Sequence, residues 1–270
     1  MRPKILLTND DGIYAPGIRV LWQALHQANF ADLFIVAPSS ERSGTGVGIT
    51  YDRPIHVQKV EWPGVQAWSV NGTPADCVKL ASRVILKQPP DWVIAGINAG
   101  SNAGRNALHS GTVGAVIEGA LRGIPGIAFS CENGEQPNFH VAEKFVVCLT
   151  QYIMQHSLPS GTVLNVNFPH VELEQIKGFR LTRQGKGRWA EDPSLHRETA
   201  NGPLYWLGGK PEELDEEKGC DIDLMRHGYI TAVPLHVHEL TDRSMLEKSK
   251  EHFEGFFQQE LVESRATQTI

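Results

Sequence analysis

The sequence predicts an α/β protein: a Rossmann-like, doubly wound, mostly parallel sheet with a β-hairpin-rich C-terminal extension. Three observations carry that reading. Short apolar runs alternate with amphipathic helical stretches over residues 1–170, the pattern of strands buried on both faces and joined by crossover helices. Polar loops rich in Gly, Asn, Ser and Asp follow those runs. Beyond Pro169 the pattern changes to short β-like segments with turn residues between them.

The elements follow in order. "ILLT" (Ile5 to Thr8) reads as a strand, and "GIRVLWQALHQA" (Gly17 to Ala28) as a helix whose Ile18, Leu21, Trp22 and Leu25 share one face. "LFIVA" (Leu33 to Ala37) is a buried strand. "NGTPADCVKLASRVIL" opens a helix with Thr73 as N-cap, Pro74 at the first helical position and Asp76 reaching back to a backbone donor. "DWVIAGI" (Asp91 to Ile97) is a strand, "GTVGAVIEGALRG" (Gly111 to Gly123) a helix and "PGIAF" a strand. "VAEKFVVCLTQYIMQH" is a helix, and "TVLNVNF" (Thr162 to Phe168) closes the core. The expected division is a core over 1–170 and an extension over 171–270. The extension holds β segments in "GFRLTRQGKGRW", "GPLYWLGG" and "GYITAVPLHVH", an acidic loop from Glu212 to Asp223, a helix from Glu239 to about Gln259 and a loose end.

Composition narrows the function. The net charge is −6 and there is no basic run, so the electrostatic footprint of groove or backbone binding to nucleic acid is missing. Small anionic substrates remain, because a bound cation can supply positive charge locally. Cys77, Cys131, Cys148 and Cys220 form no CxxC, which argues for reduced thiols rather than a disulfide framework or zinc ribbon. Met1 leads through Arg2, Pro3 and Lys4 into the first strand, leaving no room for a signal peptide. No apolar run reaches the roughly 18 residues of a membrane helix. A cytoplasmic protein is expected.

In an open parallel sheet ligands bind outside the carboxyl ends of the strands, and four loops fall there. The first is Asn9-Asp10-Asp11-Gly12. Such residues suit a plain turn, yet adjacent carboxylates repel, and a hard cation such as Mg²⁺, Mn²⁺ or Ca²⁺ would relieve the repulsion. The second loop, "APSSERSGTGVG", carries Ser43, whose hydroxyl suits a surface loop or an octahedral metal site. Its GxGxG follows the second strand and is not a dinucleotide fingerprint. The third, "GINAGSNAGRN", offers Asn98 and Asn102, whose side chains supply a carbonyl for metal or an amide for phosphate, and Asn106, read as a turn residue. It has no GK[ST]. The fourth, "HSGTVGA", places Ser110 as N-cap and leaves the amides of Gly111, Thr112 and Val113 free for an anion. His109 beside them suits a surface position or a proton donor. Asp10, Asp11, Ser43 and Asn98 facing the Ser110-Gly111-Thr112 helix start imply phosphoryl chemistry. Haloacid-dehalogenase phosphatases use DxD, which "DD" is not. Tyr14, Trp189, Tyr205 and Trp206 are read as packing residues rather than base-stacking ones.

"ILLTNDDG", "APSSERSG", "NGTPADCVKLA", "GINAGSN" and "LHSGTVGAVIEGA" resemble, in order and spacing, the SurE family. The resemblance continues through "FRLTRQGKGRW", "YWLGG" and "DIDLMRHGYITAVPL"; beyond about Glu239 no family motif is recognised. It implies a divalent-metal-dependent phosphatase of nucleoside 5′-monophosphates, in some members also of 3′-monophosphates and short polyphosphate. It implies Asp10, Asp11, Ser43 and Asn98 as ligands of one Mg²⁺ or Mn²⁺ per subunit. Phosphate contacts would fall at Asn102 and Ser110-Gly111-Thr112. It also implies a homodimer or homotetramer with exchange of C-terminal segments, making 171–270 an oligomerisation extension. Of the catalytic groups, Asp10 or Asp11 would take a proton from water and His109 would give one to the leaving oxygen. The rival reading is a non-catalytic nucleotide- or metal-binding regulator; an oxidoreductase lacks its GxGxxG.

Overall fold

A computed structural model describes residues 2–132, 138–212, 214 and 218–267. Of the acidic stretch after Glu212, 213 and 215–217 lie outside the described residues, as do 268–270 of the C-terminal end. Residues Met1–Val237 form one compact unit and His238–Ile270 a second. Among the described residues no helix is long and apolar enough to cross a membrane.

The first unit is built on a nine-stranded sheet. The strands are β1 (Lys4–Thr8), β2 (Asp32–Pro38), β3 (Val57–Val60), β4 (Gln66–Val70), β5 (Trp92–Ala99), β6 (Gly126–Cys131), β7 (Thr162–Phe168), β8 (Gly178–Leu181) and β11 (Tyr229–His236). Their spatial order is β3-β4-β2-β1-β5-β6-β7-β11-β8. The six strands β4-β2-β1-β5-β6-β7 run parallel, while β3 and β11 pair antiparallel to β4 and β7. The expected strands are present, extended by a residue or two at most ends, and every residue of β6 and β7 is buried. A strand covered on both faces has no polar side to show, so it reads as a continuous apolar run.

Two helical layers cover the sheet. The helices α1 (Pro16–Ala28) and α4 (His140–Gln155) pack with Ile5, Leu7, Ile35, Ile94, Phe129 and Phe168 on one face. The other face carries α2 (Pro74–Leu80) and α3 (Gly111–Ala120) over Leu6, Val36, Val93 and Val163. At the start of α2 the predicted capping box is present. The Thr73 hydroxyl accepts from the Asp76 amide at 3.1 Å, and the Asp76 carboxylate accepts from the Thr73 amide at 2.9 Å, a cap worth about 1 kcal/mol.

Residues beyond 170 join the same sheet through β8 and β11, and the short helix α5 (Asp221–Arg226) occupies the end of the acidic stretch expected to be a loop. The strands β9 (Trp189–Thr199) and β10 (Gly202–Pro211) form a separate two-stranded antiparallel ribbon. Tyr14, Trp189, Tyr205 and Trp206 correct their expected role as packing residues, since each is more than half exposed at 58%, 53%, 59% and 64%. In the second unit a helix, α6, spans Arg243–Thr267.

From β1 the chain works outward to β2 and β4, then returns to the other side of β1 through β5, β6 and β7. The sheet therefore has its topological switch between β1 and β5, the place where open α/β sheets bind ligands.

Candidate active site

Asp10 and Asp11 leave the end of β1 at this switch, and Asn98 sits near the end of β5 beside it. The register of β5 against β6 shifts between Ala95 and Asn98. Gly96 lies in that irregularity with φ +129°, and a Cβ there would stand 2.4 Å from the Phe129 carbonyl oxygen, so no side chain fits. The shift sets Asn98 opposite Ser130. Asn98 spends its amide nitrogen on the Gly100 carbonyl at 2.8 Å, which leaves its carbonyl oxygen as an acceptor for something else.

The two aspartates are held differently. Asp11 accepts from the Ala99 amide at 3.1 Å through Oδ2. Asp10 is 3% exposed, and its Oδ1 accepts a hydrogen bond from the Thr112 hydroxyl. Burial nonetheless pushes Asp10 upward, with Thr112 the largest opposing influence. Asp11 is pushed up to about 6, first by burial and then by the charge of Asp10, with Ala99 opposing and Glu41 adding.

Loop contacts bring in the other predicted residues. The Arg42 amide donates to the Asp10 carbonyl at 2.7 Å and the Ile13 amide to the Pro38 carbonyl at 2.8 Å, fixing the Ser43 loop against the end of β1. Ser43 is exposed, and its hydroxyl donates to Glu41 at 2.8 Å. Further along, the Gly46 amide donates to the His109 carbonyl at 2.9 Å, so the loop also meets the approach to α3. Ser110 caps α3 as expected, accepting from the Val113 amide at 3.1 Å. The expectation that the Gly111, Thr112 and Val113 amides are free is corrected for Val113, which donates to the Ser110 side chain. The Thr112 hydroxyl meets the buried Asp10 carboxylate, an encounter that sequence spacing cannot reveal. His109 lies at the exposed rim.

Asn102 is buried in a polar network. Its Nδ2 donates to the Ser130 hydroxyl at 2.8 Å, its backbone amide to Asn167 Oδ1 at 2.8 Å, and its carbonyl accepts from Asn165 Nδ2 at 2.9 Å. The turn that follows is pinned by Asp221, which is fully buried and accepts from the Gly104 amide at 2.9 Å and the Gly185 amide at 2.7 Å. Asn106 accepts from the Trp189 amide at 2.9 Å, as a loop-ordering residue would.

Reasoning from sequence missed Ser130, Asn165, Asn167, Asp221 and Arg42. For the asparagines a signal existed: Asn165 and Asn167 occupy alternate positions of an otherwise apolar strand, so both face one side. Asp221 stands in an acidic stretch with nothing to single it out.

The site fits a hard divalent cation. Two adjacent desolvated carboxylates repel each other, and none of the ion pairs among the described residues neutralises either one. Next to them, Oδ1 of the buried Asn9 has no hydrogen-bond partner among the described residues. Asp10, Asp11, Asn98 and Ser43 could each offer an oxygen, the ligand chemistry of Mg²⁺ and Mn²⁺.

Fold and site together define a doubly wound α/β protein with paired carboxylates at its topological switch. The model of the SurE family (survival protein SurE) matches residues 5–191. The 5′-nucleotidase SurE of Protochlamydia amoebophila (strain UWE25) is 51% identical over 258 residues, covering 94% of this chain and 98% of that protein. The 5′-nucleotidase SurE of Heliobacterium modesticaldum is 40% identical over 254 residues, 93% and 92% of the two chains. The crystal structure of the SurE protein from Aquifex aeolicus matches with a TM-score of 0.78 at 37% identity, covering 92% of this chain and 99% of that one. The chain belongs to the SurE family.

Proposed function

We propose that this chain is a phosphoric monoester hydrolase that acts on nucleoside 5′-monophosphates, with the switch between β1 and β5 as its active site. The observation that carries the reading is the convergence there of Asp10, Asp11, Asn98 and the Ser43 loop. The 51% identity to a protein named 5′-nucleotidase SurE over nearly its whole length supports the substrate class.

The finer reading is as follows. Asp10, Asp11, Asn98 and Ser43 hold one Mg²⁺ or Mn²⁺, which when bound polarises the phosphoryl group and screens its charge. Asn102 and the Ser110-Gly111-Thr112 turn set the position of the phosphate, so that catalysis rests on orientation and electrostatics rather than a covalent nucleophile. Asp10 or Asp11 takes a proton from the attacking water at a carboxylate oxygen. His109, at the rim beside Ser110, gives a proton to the leaving oxygen. The same site takes 3′-monophosphates and short polyphosphate, whose terminal groups present the same phosphoryl oxygens.

The chain works as a homodimer or homotetramer in which segments of 171–270 exchange between subunits. The β9–β10 ribbon supports this, because its Leu195, Tyr205, Trp206 and Leu207 are each more than half exposed and an apolar surface of that kind calls for a partner. Light scattering during gel filtration checks it; a monomer contradicts it. The enzymatic claim is tested by phosphate release from a panel of nucleoside monophosphates with Mn²⁺. Tight nucleotide binding without phosphate release under any divalent ion would leave the regulator reading instead.

A further inference from the structure

We infer that the Thr112 hydroxyl acts as a positioning group for Asp10, holding its carboxylate for the cation, and leaves contact with the substrate phosphate to the backbone of the first turn of α3. The inference rests on the divalent-cation reading above and changes the part assigned to the first turn of α3 within it.

A threonine hydroxyl has one proton to give, and Thr112 gives it to Oδ1 of Asp10. Thr112 is fully buried and Asp10 is 3% exposed, so water competes little for this hydrogen bond. A phosphate dianion needs donors, and this hydroxyl has none left for it. Beside it, the Val113 amide donates to the Ser110 hydroxyl at 3.1 Å.

A Cβ built on Gly111 would lie 2.8 Å from the Asp10 Cβ, 2.9 Å from the Thr45 hydroxyl and 3.0 Å from Asp10 Oδ2. The carboxylate thus lies close against the first turn of α3. A hydrogen-bonded partner that fixes the orientation of a ligating carboxylate tunes the bound metal. Here the partner comes from a helix 102 residues further along the chain, so α3 and β1 must both be in place before Asp10 is aligned.

The test compares wild type with Thr112→Val, which keeps the shape and removes the hydroxyl, and Thr112→Ser, which keeps the donor. Mn²⁺ affinity is measured calorimetrically without substrate, and inhibition by inorganic phosphate at saturating Mn²⁺; melting curves establish that each variant folds. Loss of an orienting partner weakens metal binding about ten- to a hundredfold. That loss is expected for Thr112→Val, with Thr112→Ser near wild type and phosphate inhibition unchanged in both. Wild-type Mn²⁺ affinity in Thr112→Val would overturn the inference, most directly if phosphate inhibition weakened instead. A wild-type protein that bound no divalent ion in the same titration would take down the cation reading itself, which is a different result from equal binding by wild type and variant.

Discussion

The Ala99 amide donates to Oδ2 of Asp11 at 3.1 Å, joining residues 88 positions apart. The bond stitches the end of β5 to the end of β1 across the topological switch. It also leaves Asp11 one good donor against burial and the charge of Asp10, a balance that leaves the carboxyl at about 6.

That balance has a sign. The Asp11 carboxyl sits above the 3.8 of a free aspartate, so the folded state binds the proton more tightly than the unfolded one. Its contribution to stability is full at low pH and fades as pH rises from about 4 to about 6. Asp11→Asn mimics the protonated form and keeps an acceptor for Ala99. In EDTA at neutral pH it should therefore melt above wild type, and the difference should shrink as pH falls toward 4. Added Mn²⁺ should raise the wild-type melting temperature far more than that of the variant. Melting curves at several pH values check both.

Asn102 depends on Ser130 for the partner of its Nδ2. Ser130→Ala removes that acceptor with little change of volume. A neutral hydrogen bond contributes about 1 kcal/mol, so KM for AMP should rise roughly fivefold with kcat changed less. An unchanged KM would mean that Asn102 does not need this partner to meet phosphate.

Gly111→Ala places a methyl group within 2.8 Å of Asp10. Overpacking of this kind costs about 1–3 kcal/mol, and the variant should lose stability and metal affinity together. Gly208→Ala, where nothing lies within 4 Å, is the control and should change neither.

His109→Gln separates a proton donor from a rim residue. General acid catalysis contributes about a hundredfold or more, and a poor leaving group needs it most. Hydrolysis of AMP should fall by that order while p-nitrophenyl phosphate, with a good leaving group, is little affected. Equal losses on both substrates would remove His109 from the mechanism.

Much of this was legible in the sequence, for physical reasons. Strands such as "TVLNVNF" and "DWVIAGI" are buried on both faces, and Thr73-Pro74-Asp76 carries its cap within four residues. The strands β3 and β4 went unread because they form an antiparallel hairpin at the sheet edge, where Gln58 and Lys59 face solvent and the apolar signal fades. Asp10, Asp11, Ser43 and Asn98 announced themselves by residue type at strand ends. Their partners did not. Thr112 meets Asp10, and Asn167 meets Asn102, only after the sheet has assembled. A contact spanning many strands leaves no local pattern, so nothing near Thr112 in the sequence showed that its hydroxyl is turned toward Asp10.

The central claim is that the paired aspartates at the switch catalyse phosphate release from nucleotides. The most direct test is the initial rate of phosphate release from AMP with Mn²⁺ for wild type, Asp10→Asn and Asp11→Asn, each with and without EDTA. The account predicts activity in wild type that EDTA abolishes, and a loss of at least about a hundredfold in both variants. Wild-type rates in either variant, or activity indifferent to EDTA, would contradict it.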